Sequence, residues 1–120
     1  MNREGLSRQL HSWADQAQYE ASVADTEADR RNWEGQAQVM GGVSTFLTGP
    51  GREMSDADIW QQVVGDRSRA LASWEAVQEG PEAMLYAGVV AGYDLVLTTL
   101  RDMTGKTWGD VNARTGWVNR

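Results

Sequence analysis

Cysteine is absent from this 120-residue chain, and histidine, lysine and phenylalanine occur once each. Without cysteine there is no disulfide, no thiolate metal ligand and no cysteine nucleophile, so the fold must rest on packing. His11 stands four residues before Asp15 on a polar helical face, where a solvated role is expected rather than a catalytic one. No histidine pair at metal spacing and no glycine loop leading to Lys-Ser/Thr is present, so no phosphate cradle is expected. Asp56 and Asp58 lie close together, but a helix N-terminus accounts for both. These absences predict a protein that is not an enzyme, with no catalytic residues, no cofactor and no metal. An uninterrupted apolar run is also missing from "MNREGLSRQLHSWADQ", which lacks the pattern of a signal peptide and leads to the expectation of a cytoplasmic protein.

Excess positive charge is lacking too. Seventeen acidic residues against eleven basic leave a net charge of −6, which repels a phosphate backbone and disfavours free nucleic acid as a partner. Only residues 101–120 are basic, with four basic and two acidic groups.

What is present is helical periodicity, with no sustained alternation of period two. The pattern predicts an all-α bundle of three main helices in one domain spanning 1–120. Helix 1 is expected over about 5–34, followed by a short helical segment over 37–48, helix 2 over about 55–79, helix 3 over about 81–104 and a short helical tail over 107–120. Leu6, Leu10, Trp13 and Ala17 start the first stripe, and Ala21, Ala24 and Ala28 continue it with small side chains. Glu27 and Arg31 form a favourable i,i+4 pair. Ser55 opens the second helix, with Asp58 three residues on in a capping relation. Its apolar face carries Ile59, Trp60, Val63, Val64, Leu71 and Trp74, and both indoles are expected inside. Gly80 reads as the residue that ends this helix and Pro81 as the first of the next.

The third helix is apolar around most of its circumference and belongs in the middle, either sandwiched between the other two helices or packed on one of them and against a second copy of itself. Gly88 and Gly92 have the spacing that lets helix backbones approach closely. Residues 83–100 approach the length of a membrane span, but the roughly −3 kcal/mol from the leucines and valines is offset by about +3 kcal/mol from Asp94. A buried helix and no membrane association are expected.

Two stretches resemble known modules. "NWEGQAQ" places Trp33, Glu34 and Gly35 before Ala37, and it resembles the Trp-x-Gly turn of the WXG100 family of small secreted helical hairpins. The resemblance implies a turn between two helices at Trp33–Gly35 and a secreted helical protein. Val111, Asn112, Ala113, Arg114, Thr115 and Gly116 resemble the turn of a helix-turn-helix, which implies a nucleic-acid-associated regulator using a basic tail. A recognition helix needs about two to three turns, and four residues follow Gly116 in this sequence. The stretch therefore reads better as an amphipathic tail.

Six tryptophans in 120 residues exceed what so small a core readily buries with paired N–H groups. Trp and Arg are enriched at binding hot spots. The expected partner-binding residues are Arg30, Arg31, Trp33, Trp108, Arg114, Trp117 and Arg120. The expected self-association residues are Ala21, Ala24, Ala28, Gly88 and Gly92, with a dimer favoured. Together these predict a non-catalytic factor that binds a protein target, comparable to small phage or bacterial accessory proteins such as inhibitors of host machinery or virion components.

Overall fold

The computed structural model describes residues 2–77 and 79–104. They form four α-helices: α1 Arg3–Val23, α2 Glu27–Thr48, α3 Asp56–Ala76 and α4 Pro81–Thr104. No strand occurs among the described residues, so the class is all-α. The helix count differs from the expected three. What reads as one long first helix is two, and its second half is continuous with the segment at 37–48.

Local chemistry explains the break. Thr26 has extended backbone angles, and its hydroxyl accepts the Asp29 N–H at 3.1 Å. Glu27 and Asp29 place negative charge in the first turn of α2, where the helix dipole favours it. Asn2 and Ser55 do the same for α1 and α3, accepting from Gly5 N and Asp58 N. Gly80 has a φ of +96°, a left-handed angle that glycine adopts without strain. Its carbonyl accepts the Met84 N–H at 3.3 Å. Gly80 therefore heads α4 rather than closing α3, whose C-cap is Val77, and Pro81 is the first helical residue, as expected.

Helix α1 packs on α2, α2 on α4, and α4 on α3. Both α2 and α4 are therefore interior, each flanked on two sides, although only the last helix was expected in that position. The α2–α4 contact is made backbone to backbone. A Cβ built on Gly88 would fall onto the Asn32 carbonyl, 2.8 Å from its carbon, and one on Gly35 would lie 2.8 Å from Val89 N. A Cβ on Gly92 would lie 2.9 Å from Val39 Cβ. Contacts that pair 32 with 88 and 39 with 92 mean that α2 and α4 run parallel.

The core gathers Leu6, Leu10, Leu47, Ile59, Trp60, Val63, Val64, Val96, Leu97 and Leu100. Within it Ser7 and Ser44 lock α1 to α2, each hydroxyl bonding the other residue's carbonyl, at 2.8 and 2.7 Å. At the end of the bundle where α1 begins, the Arg3 guanidinium donates to the carbonyls of Gly51 at 2.7 Å, Arg52 at 2.5 Å and Met54, and to Asp56 at 3.1 Å. This holds the α2–α3 connection against the start of α1. Asp56 has its carboxyl lowered below the ordinary range, chiefly by the hydrogen bond from Arg3.

Candidate functional site

Among the described tryptophans only Trp60 is interior, at 2% exposure. Trp13 and Trp33 are half-buried and pack against the core from its edge. Trp74 is 39% exposed, contrary to the expectation that it shares the interior with Trp60. The buried residues of α3 all lie in its first half, at Ile59, Trp60, Val63 and Val64. Its second half extends past the core, and that stretch of its apolar face stays partly open.

Trp13 and Trp33 meet in a groove between α1, α2 and α4. Its volume is about 230 Å³, and Gln16, Ala17, Gln36, Met40 and Leu95 complete the lining. Leu95 is 37% exposed there. Each residue arrives for a local reason. Trp13 sits beside the buried Leu10–Ala14–Ala17 stripe of α1 and so reaches the edge of the α1–α2 seam. Trp33 lies two turns before Met40 on nearly the same face of α2, and Leu95 leans out beside the buried Val96. Two further exposed apolar side chains, Tyr19 at 63% and Val23 at 53%, stand three and seven residues after Gln16, extending the groove-side face of α1.

A volume below the ~300–1,000 Å³ of small-molecule pockets fits one or two side chains of a partner better than a cofactor. A larger cleft of about 560 Å³ lies beside Arg3, lined by Leu47, Thr48, Arg52 and Asp56. Its central cation is directed at the loop carbonyls, so that cleft reads as the outside of a structural clasp. Between α2, α3 and α4, Tyr93 is raised above the ordinary phenol range by burial and then by the Asp66 carboxylate, which keeps it neutral through the physiological range. No group of three His, Cys, Asp or Glu converges to hold a metal ion among the described residues.

The chain matches no protein-family model, no curated protein and no solved structure. The groove therefore has to be interpreted from its own chemistry.

The remaining expected site residues separate. Arg30 and Arg31 are engaged on their own helix, with Arg31 Nε 3.0 Å from Glu27 and Nη1 3.2 Å from Glu34, and Arg30 bound to Glu27. Both side chains stay partly exposed, at 48% and 41%, and Trp33 lines open surface. Ala21 is buried in the chain's own core, Ala24 lies in the α1–α2 connection and Ala28 is exposed on α2, so the three alanines do not share a face. Gly88 and Gly92 are used against α2 of the same chain and leave no close-approach surface for a second copy. Trp108, Arg114, Trp117, Arg120 and the tail as a whole lie outside the described residues.

The WXG100 resemblance predicts a turn at Trp33–Gly35. That turn is absent: Trp33, Glu34 and Gly35 are all within α2, and Gly35 serves the contact with α4. Residues Pro81–Arg101 of α4 are long and apolar enough to cross a bilayer by length and composition. In this fold they are gripped by α2 through glycine, and Asp94 pairs with Arg67 on α3. The residues that sequence reasoning missed are Trp13, which reads as part of the core stripe of α1, and Leu95, one of several leucines on an apolar helix; only their position beside Trp33 distinguishes them.

Proposed function

We propose that this protein is a non-catalytic binding factor that takes one or two apolar side chains of a protein target into the Trp13–Trp33–Leu95 groove. One observation carries the reading: two half-buried indoles and an exposed leucine from three different helices converge on one small, mostly apolar depression. Aromatic anchors in such depressions, rimmed by polar groups such as Gln16 and Gln36, are the usual carriers of protein-protein affinity. Pairing with a second copy, expected from the sequence, would use open apolar surface such as that around Leu71 and Trp74, because the glycines are occupied within the chain.

Leu95→Asp tests the reading, since it places a charge in the groove at a position already in contact with water. Tagged wild-type and variant proteins are used to capture targets from the native cell, with quantification by mass spectrometry. Recovery of the principal target is expected to fall by about thirtyfold, the equivalent of a ~2 kcal/mol hot spot, while the circular dichroism spectrum stays unchanged. Equal recovery with Leu95→Asp and with Trp33→Ala overturns the groove as the binding surface.

A further inference from the structure

We propose that a second depression, between α2, α3 and α4, is a binding site for a primary ammonium group on an aliphatic stem, held by the Asp66 carboxylate and the rings of Phe46 and Tyr93. Helices α2 and α3 each pack on α4, and the depression opens between them with a volume of about 150 Å³. The buried Val39, Val43 and Val63 give it an apolar lining. Phe46 and Tyr93, both half-buried, add two aromatic rings, and Asp66 adds a carboxylate whose side chain is 31% exposed. Gly42 is exposed at the edge of the depression, and a Cβ there would meet nothing within 4 Å, so the entrance stays open.

Charge selects the ligand and separates this depression from the other clefts. The cleft beside Arg3 also includes Arg52, the cleft at Asp94 includes Arg67 and Arg101, and the Trp13–Trp33 groove has no charged residue in its lining. Here the lining holds a carboxylate and no cation. Asp66 accepts from Gln62 Nε2 at 3.2 Å and pairs with Arg69 three residues on. A carboxylate offers about four acceptor positions, however, and Arg69 is 70% exposed and stands outside the lining, where such a pair is weak. The field of Asp66 reaches the aromatic side of the depression, since after burial it is this carboxylate that raises the Tyr93 phenol above its ordinary range. A neutral phenol and a phenyl ring offer their faces to an ammonium group, and the valines accept the methylene stem that such a group carries. The net charge of −6 favours the approach of a cation. A space smaller than the ~300–1,000 Å³ of small-molecule pockets suits a ligand the size of one lysine side chain. A free aliphatic amine and the lysine of a peptide present the same chemistry.

Amide NMR shifts of the purified, isotope-labelled full-length chain test the site, with n-butylammonium as the probe and n-butanol as its neutral counterpart. Butylammonium is expected to bind with a Kd on the order of millimolar and at least about tenfold more tightly than butanol, with the largest shifts at Gly42, Val63, Asp66 and Tyr93. Asp66→Asn keeps the shape of the side chain at a partly exposed position and is expected to abolish the preference for the cation. Equal affinity for the two probes in the wild-type chain overturns the proposal, as do shifts confined to other parts of the bundle or a preference that survives Asp66→Asn. Nα-acetyl-lysine methylamide and diaminobutane then distinguish the sources: tighter binding of the first assigns the site to a peptide lysine, and tighter binding of the second to a free amine.

Discussion

Gly88→Ala is expected to destabilise the fold by about 3–5 kcal/mol, a large share of the ~5–15 kcal/mol that a domain of this kind has in total. Overpacking is usually relieved by moving a flexible side chain. At Gly88 the obstacle is the backbone of Asn32, which is itself hydrogen-bonded into α2, so the new methyl group can be accommodated only by separating two helices. That separation also opens the Gly35–Val89 and Gly92–Val39 contacts. Thermal unfolding followed by circular dichroism is expected to show a Tm lowered by about 10–20 °C. Gly42→Ala supplies the contrast, because a Cβ there meets nothing within 4 Å and the position is exposed within α2. Removing backbone freedom from the unfolded chain there is expected to raise stability by about 0.5–1 kcal/mol. Comparable, small effects at both positions would falsify the backbone contact between α2 and α4.

The same glycines show what a sequence can and cannot convey about this fold. Their spacing signals a close helix-helix approach, but spacing does not identify the other helix. The complementary residue is Gly35, which reads equally well as a turn after Trp33. Its actual role depends on Leu85 and Val89, fifty or more residues away. The all-α class was legible throughout because a period near 3.6 is a local property, and Ser55 and Pro81 marked helix starts through local capping chemistry.

The break at Ala24–Thr26 was also locally encoded, by Thr26-x-x-Asp29 with Glu27 between. It is masked by the spacing of Ala21, Ala24 and Ala28, which continues across the break. Alanine tolerates a core, a loop and a surface about equally, so an alanine stripe is weak evidence for a continuous face. Trp74 teaches the converse. Its separation of fourteen residues from Trp60 correctly puts both on nearly one face of α3, yet burial also depends on how far the neighbouring helices cover that face.

The groove lies between these cases. A surplus of indoles pointed to open aromatic surface, and Trp33 is there. Its neighbours Trp13 and Leu95 could not be assigned to it before the helices were placed, since they come from elements eighty residues apart. Arg30 and Arg31, which precede Trp33, pair along α2 with Glu27 and Glu34 three and four residues away, an arrangement already legible in helical spacing.

Arg3→Ala is expected to cost about 2–3 kcal/mol, an effect that nothing local in the sequence announces because its acceptors lie 48 to 53 residues away. Hydrogen bonds from a charged donor contribute roughly 1.5–3 kcal/mol each when buried and less where water competes; the Arg3 side chain is 17% exposed. Arg3→Lys is expected to recover less than half of the loss, because an ammonium is a single point of donation and cannot span three carbonyls and a carboxylate as a planar fork does.

The pH dependence separates the two kinds of acceptor. Asp56 has its folded pKa lowered, so the stability it contributes is complete above its unfolded value near ~3.9 and is lost as pH falls through the lower, folded value. The carbonyls do not titrate. Asp56 is 42% exposed, so its ion pair with Arg3 is worth at most about 1 kcal/mol, and Asp56→Asn is expected to be correspondingly mild. Urea unfolding of wild type and Arg3→Ala at pH 7 and pH 3 is therefore expected to show most of the difference persisting in acid. A difference that vanishes at pH 3 would place the clasp on the carboxylate rather than on the carbonyls of Gly51, Arg52 and Met54.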